Sequence, residues 1–294
     1  MRRPYNFIVS EDWEGLMTDA TVTAAAEAAK TKAAYLRSHP LGYFILSAMA
    51  GIYVGFGIIL IFAIGAPFLA ANSPAAKLAM GASFGIALSL VIIAGAELFT
   101  GNNLIMTVGV LRRTASPLAL TGVWLVSFAG NLLGALLLAW LVAKSGVFAT
   151  APHLAIIEKT AATKMTLPFS ALFFRAVLCN WLVCLAVWCA IRATSEAGKL
   201  IMIFWCLFAF IGAGFEHSVA NMTLLGIALF QPHSSLVSVA GFVHNMVPVT
   251  LGNIVGGALF VGGAYWLANQ KLSLFPKAVP EDRPGLMPEG AAGD

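Results

Sequence analysis

Two short stretches place ionisable groups where a sequence this apolar would otherwise exclude them. "GFEHSVAN", Gly214 to Asn221, sets a carboxylate beside an imidazole, and "GAELFTGN", Gly95 to Asn102, holds a second carboxylate. A charged side chain at the centre of a bilayer costs at least ~2.5–3.5 kcal/mol, so such residues pair with something or mark a pathway. A neutral imidazole offers one N–H donor and one acceptor and can also take a proton. Each stretch has glycine ahead of its acid, as a helix interrupted inside a membrane requires. An interruption strips backbone N–H and C=O groups of their partners, and such backbone survives only when protein-buried or lining a cavity. Glu97 and Glu216 are therefore expected to support the loops by accepting the stranded N–H groups, in preference to touching a solute. His217, standing in the break itself, is expected to serve the pathway rather than to fill the core.

The elements that must hold these groups are membrane helices. Of the 294 residues, 60% are hydrophobic and 10% charged, against roughly 25% charged in a soluble domain. Six apolar runs are each long enough to cross as helices: Gly42–Pro67, Leu78–Leu111, Leu118–Ala143, Leu167–Ile191, Leu200–Phe230 and Leu236–Ala268. The chain divides into an N-terminal segment with an amphipathic helix (1–41), a transmembrane channel domain (42–268) and a proline- and acid-rich, disordered tail (269–294). No signal-peptide core precedes the first run. With both ends cytoplasmic, twelve lysines and arginines fall inside, against Lys77, Lys144, Lys159 and Lys164 outside, as the positive-inside rule prefers. The +4 net charge thus reflects topology and implies no nucleic-acid partner. Cys179, Cys184, Cys189 and Cys206 lack zinc or disulfide spacing and read as small packing residues. Trp124, Trp140 and Trp266 read as belt or packing residues. Arg175, within the fourth run, either snorkels to the outer interface or pairs between protomers.

The second and fifth runs are too long for one crossing. Leu78–Leu111 is 34 residues, well beyond a bilayer core of roughly 30 Å at about 1.5 Å per residue. The runs also repeat. "GNLLG" at Gly130 recurs as "GNIVG" at Gly252, 122 residues later, and the Gly-x-Glu of Gly95 recurs at Gly214, 119 residues later. Three spans per copy is an odd number, so the second copy is inverted, with the working site at mid-membrane between the halves. The glycine-asparagine pairs are equally consistent with close helix packing.

"GASFGIALSLVIIAGAELFTGNN", "LCNWLVCLAVW" and "GFEHSVANMTL" resemble the second, fourth and fifth spans of the formate/nitrite transporter family. Together with "SAMAGIYVGFGIILIF", they place the chain nearest its nitrite-channel subgroup, with similarity from about His39 to Trp266. The resemblance implies an all-α, aquaporin-like protomer of six transmembrane helices, an inverted three-plus-three repeat with broken second and fifth helices, and five protomers each with its own anion pore. It implies a pore centre of His217, Thr100, Asn180 and Asn221. It implies an outer constriction of Phe84, Leu98 and Phe210, an inner one of Leu88, Phe99, Val183 and Ala220, and an outer, anion-attracting Lys164. By itself Lys164 would read as an ordinary loop lysine. Glu97 departs from the aspartate of some members, and the N-terminal segment is longer than the subgroup's.

The resemblance implies transport of small monovalent anions, most favourably nitrite, across a bacterial inner membrane, with formate or hydrosulfide channel activity and proton-coupled secondary transport as alternatives. An aquaporin-like neutral-solute channel is disfavoured because neither break contains Asn-Pro-Ala. No metal-ligand cluster, nucleotide loop or nucleophile-base set occurs, so neither cofactor nor enzyme activity is expected.

Overall fold

The computed structural model describes residues 13–270, and the tail assigned above as disordered lies almost wholly outside them. The described secondary structure is helical throughout. Six helical stretches are long and apolar enough to cross a membrane, and the chain is a multi-pass membrane protein. The first is α2 (Pro40–Ala70). The second comprises α3 (Ala76–Ser83) and α4 (Ile86–Leu90), which continues in π-helical turns to Gly95, and the polypeptide then resumes as the short helix α5 (Phe99–Leu111). The third and fourth are α6 (Pro117–Ser145) and α8 (Phe169–Arg192). The fifth is α9 (Glu196–Ala213), followed by the short helix α10 (Ser218–Phe230). The sixth starts as α11 (Val239–Ile254), passes through π-helical turns at Val255–Gly263 and ends as α12 (Ala264–Ala268).

The helix starts carry ordinary local signals. Ser116, Ser195 and Ser238 each accept from the backbone N–H three residues on, and prolines open α2 and α6. Two further helices flank the bundle. On one face α1 (Trp13–Ser38) packs Val22, Ala25, Ala26 and Ala29 against Leu104, Ile105 and Val108 of α5. Its alanines face protein, so it lies closer to the bundle than a helix resting on lipid. On the opposite face, α7 (His153–Thr166) sits in the connection between the third and fourth spans. It is too short to cross a membrane and so leaves no span signal in the sequence.

The glycine-asparagine pairs lie where helices touch backbone to backbone. A Cβ on Gly134 would fall on the carbonyl of Ala48 in α2, and one on Gly256 would fall on the carbonyl of Val177 in α8. These contacts bring α6 onto α2 and the sixth span onto α8. Replacing Gly134 or Gly256 by alanine is expected to cost about 1–3 kcal/mol, the usual penalty of overpacking. The check is a fall of several degrees in apparent Tm in detergent, with Gly212→Ala, whose added Cβ meets nothing within 4 Å, as the unaffected control.

Candidate functional site

The two interruptions are built from the same bonds. At the first, Gly95 takes φ +82° and Ala96 N–H donates to Val91 O; at the second, Gly214 takes φ +77° and Phe215 N–H donates to Phe210 O. Only glycine adopts that backbone region without strain, which is why both breaks begin on one. Beyond each glycine the chain runs extended, and the acid's own N–H reaches a neighbouring helix: Glu97 N to Leu46 O, and Glu216 N to Arg175 O.

Asparagine closes each loop. Asn131 Oδ1 accepts from Phe99 N at 2.9 Å, while its Nδ2 donates to Ser47 O and Glu97 O. Asn253 Oδ1 accepts from Ser218 N at 2.9 Å, while its Nδ2 donates to Ala176 O and Glu216 O. A primary amide carries an acceptor and two donors, which an interrupted backbone needs and a carboxylate cannot supply. The acids were expected to accept the stranded N–H groups; the asparagines of the repeated Gly-Asn motif do so instead.

The carboxylates accept side-chain donors. Lys32 Nζ reaches both oxygens of Glu97 at 2.6 Å, and Tyr43 Oη and Asn102 Nδ2 also donate to it. Lys164 Nζ donates to Glu216 Oε1 at 2.7 Å and Asn221 Nδ2 to its Oε2 at 2.6 Å, with Asn245 bridging Asn221 to the Lys164 carbonyl. Lys164 is therefore bound to a carboxylate that is 2% exposed, and its charge is compensated. Such pairs hold best when further hydrogen bonds support the carboxylate, as Asn221 does here. Lys32, Tyr43, Asn102 and Asn245 were not read as site residues. Lys32, Tyr43 and Asn245 meet partners 65, 54 and 24 residues away, and a lysine ahead of a span or a tyrosine at its start carries no distinguishing pattern.

His217 stands at the start of α10. Its Nδ1 accepts from Ala220 N–H at 3.2 Å, so the ring caps the helix. The proton of the neutral imidazole then resides on Nε2, which donates to Thr100 Oγ1 at 3.1 Å. This assignment follows from the hydrogen-bond network. Phe210 stacks on the imidazole, with centroids 6.0 Å apart, and meets Phe84 edge-on at 5.4 Å.

His217 opens onto a cavity of ≈ 10 Å³ walled by Phe84, Leu88, Leu98, Val183 and Phe210. That volume holds about one water. On the α1 face Leu88 and Leu98 also border a vestibule of ≈ 430 Å³ that reaches Lys32, Glu97 and Asn102. Leu98, assigned above to the outer ring, thus stands on the partition between cavity and α1-face vestibule. Phe99 is absent from the cavity wall; its ring lies edge-on to Trp124 and Phe128. Ala220 contributes the N–H that orients the imidazole. Asn180 is turned to the protein, donating to Thr100 O, Asn103 Oδ1 and Asn253 O, and Asn221 holds Glu216.

A helical membrane protein with two interrupted helices, an imidazole at an apolar-walled cavity and a vestibule that shares Leu88 and Leu98 with that cavity has the features of a pore-type transporter. The chain is a member of the formate/nitrite transporter family, whose sequence profile matches residues 19–267. It is 46% identical to the nitrite transporter NirC of Escherichia coli (strain K12) over 256 residues, 87% of this chain and 94% of that one. A solved FNT family ion channel superposes with a TM-score of 0.81 at 45% identity, covering 85% of this chain and 99% of that one. A pentameric formate channel with formate bound gives a TM-score of 0.69 at 29% identity, covering 78% and 96%.

Truncating Asn131 or Asn253 to alanine leaves the first N–H of a short helix and one loop carbonyl without their amide partner, at about 1–3 kcal/mol for each stranded group. Either variant is expected to lose thermal stability in detergent by clearly more than Thr121→Ala, whose exposed hydroxyl donates to Pro117 O of its own helix.

Proposed function

We propose that the chain carries nitrite across the bacterial cytoplasmic membrane through a pore contained in each protomer of a homopentamer, with both chain ends on the cytoplasmic side. The observation that carries this reading is the Nε2–H of a buried, helix-capping imidazole at the edge of an apolar-walled cavity. The 46% identity to a nitrite transporter supports nitrite, and the likeness to a pentameric formate channel supports the assembly. The positive-inside bias supports the orientation.

In this reading nitrite collects in a vestibule, sheds water and passes an apolar ring as its side chains rotate, since ≈ 10 Å³ cannot admit a three-atom anion at rest. Stripping water from a full charge is costly. His217 offsets that cost by turning its Nε2–H from Thr100 to the anion. The Thr100 hydroxyl, relieved as acceptor, still has its own proton to donate. Nδ1 already accepts from Ala220 N–H, and an imidazolium has no acceptor lone pair, so a second proton on the ring would break the cap. The geometry therefore favours a neutral ring that donates a hydrogen bond. Asn180 and Asn221 act as positioning residues, and Lys164 with Glu216 holds the loop.

His217→Phe removes a hydrogen bond to a charged group, worth about 1.5–3 kcal/mol, and is expected to lower nitrite flux into proteoliposomes about tenfold or more. His217→Asn, which retains an acceptor for the Ala220 N–H, controls for loss of the fold. Unchanged flux and anion selectivity in both variants contradict the reading. Competition among nitrite, formate and hydrosulfide in the same vesicles tests the choice of anion, with nitrite expected to be preferred.

A further inference from the structure

The charges around the α1-face vestibule are unevenly compensated. Lys32 and Glu97 both line it, but they are locked together at 2.6 Å and present little net charge to a solute. Lys199, from α9, lines the same vestibule. It too has a carboxylate neighbour, Glu196 at 2.8 Å, three residues earlier on its own helix. That carboxylate is 68% exposed while the Lys199 side chain is 28% exposed. Water and salt screen an exposed charge, so such a pair is weak and its outer member contributes little within the cavity. Lys199, in contrast, is a lining residue of a largely apolar-walled recess, where field lines are focused.

The local structure makes this placement unfavourable for the helix. Ser195 caps α9, and Lys199 falls at the end of its first turn. A cation there opposes the helix macrodipole, whereas Glu196 is on the favoured side of it. A lysine that works against its own helix and lines a vestibule is better accounted for by the vestibule than by α9. On the opposite face, Lys164 is paired with a carboxylate that is 2% exposed. Of the two lysines that line the α1-face vestibule, Lys199 is the one without a buried carboxylate partner.

We propose that Lys199 recruits small monovalent anions into the α1-face vestibule and sets their apparent affinity from that side, with Glu196 attenuating the effect. The inference rests on the anion-pore reading above. It is tested in proteoliposomes of single orientation, selected by protease access to an N-terminal tag, with nitrite as the probe. At low ionic strength Lys199→Gln is expected to raise the half-saturating nitrite concentration on the α1 face by about threefold or more. Glu196→Gln is expected to lower it, and half-saturation on the opposite face is expected to move less in both. Raising the salt concentration shrinks the differences, as screening requires. If neither variant moves the α1-face value while nitrite flux persists, the inference is overturned and the pore reading stands. If the unaltered protein carries no nitrite in either direction, both fall. Glu196→Gln leaves the vestibule lining intact, so its opposite sign separates recruitment from a folding defect in Lys199→Gln.

Discussion

A polypeptide interrupted inside a bilayer must find partners for its freed N–H and C=O groups within the protein, because lipid supplies none. That constraint shapes this molecule. Asn131 and Asn253 meet it with a single residue type used identically, one oxygen accepting from the first N–H of a short helix and one NH₂ donating to two carbonyls. The adjoining glycines let α6 approach α2, and the sixth span approach α8, closely enough for those amides to reach. The Gly-Asn pair is thus one device: glycine sets the distance and asparagine uses it.

Once the loops are closed, the acids are free for another role. Glu97 and Glu216 anchor lysines from α1 and α7, tying the flanking helices to the breaks. The two loops are not chemically equal. One resumes as a helix after Leu98, a residue that only separates spaces, while the other resumes after His217, which caps α10 and opens onto the cavity. The proposed pore chemistry rests on that single difference between two loops built from the same bonds.

Much of this was legible in the sequence because intramembrane polarity is rare. The six crossings and the glycines at which the helices end follow from apolar run length and from glycine ahead of an acid, and His217 stands out as an imidazole where none is expected. Side-chain direction was not legible. Phe99 and Leu98 are neighbours, yet one packs on Trp124 and Phe128 and the other borders both vestibule and cavity. Lys164 carries no sequence mark of being buried against Glu216, and Lys32 and Tyr43 meet Glu97 from 65 and 54 residues away. The Gly-Asn repeat was visible, but nothing in one dimension says whether an amide packs, contacts a solute or closes a loop.

The central claim is that the His217 imidazole is fixed by its Nδ1 as a helix cap and faces the pore with Nε2–H. The most direct measurement is the ¹⁵N spectrum of His217 in lipid at neutral pH, identified by its loss in His217→Asn. The account predicts an unprotonated, hydrogen-bond-accepting Nδ1 and a protonated Nε2 whose shift alone responds to added nitrite. A proton on Nδ1, or a ring indifferent to nitrite, would contradict it.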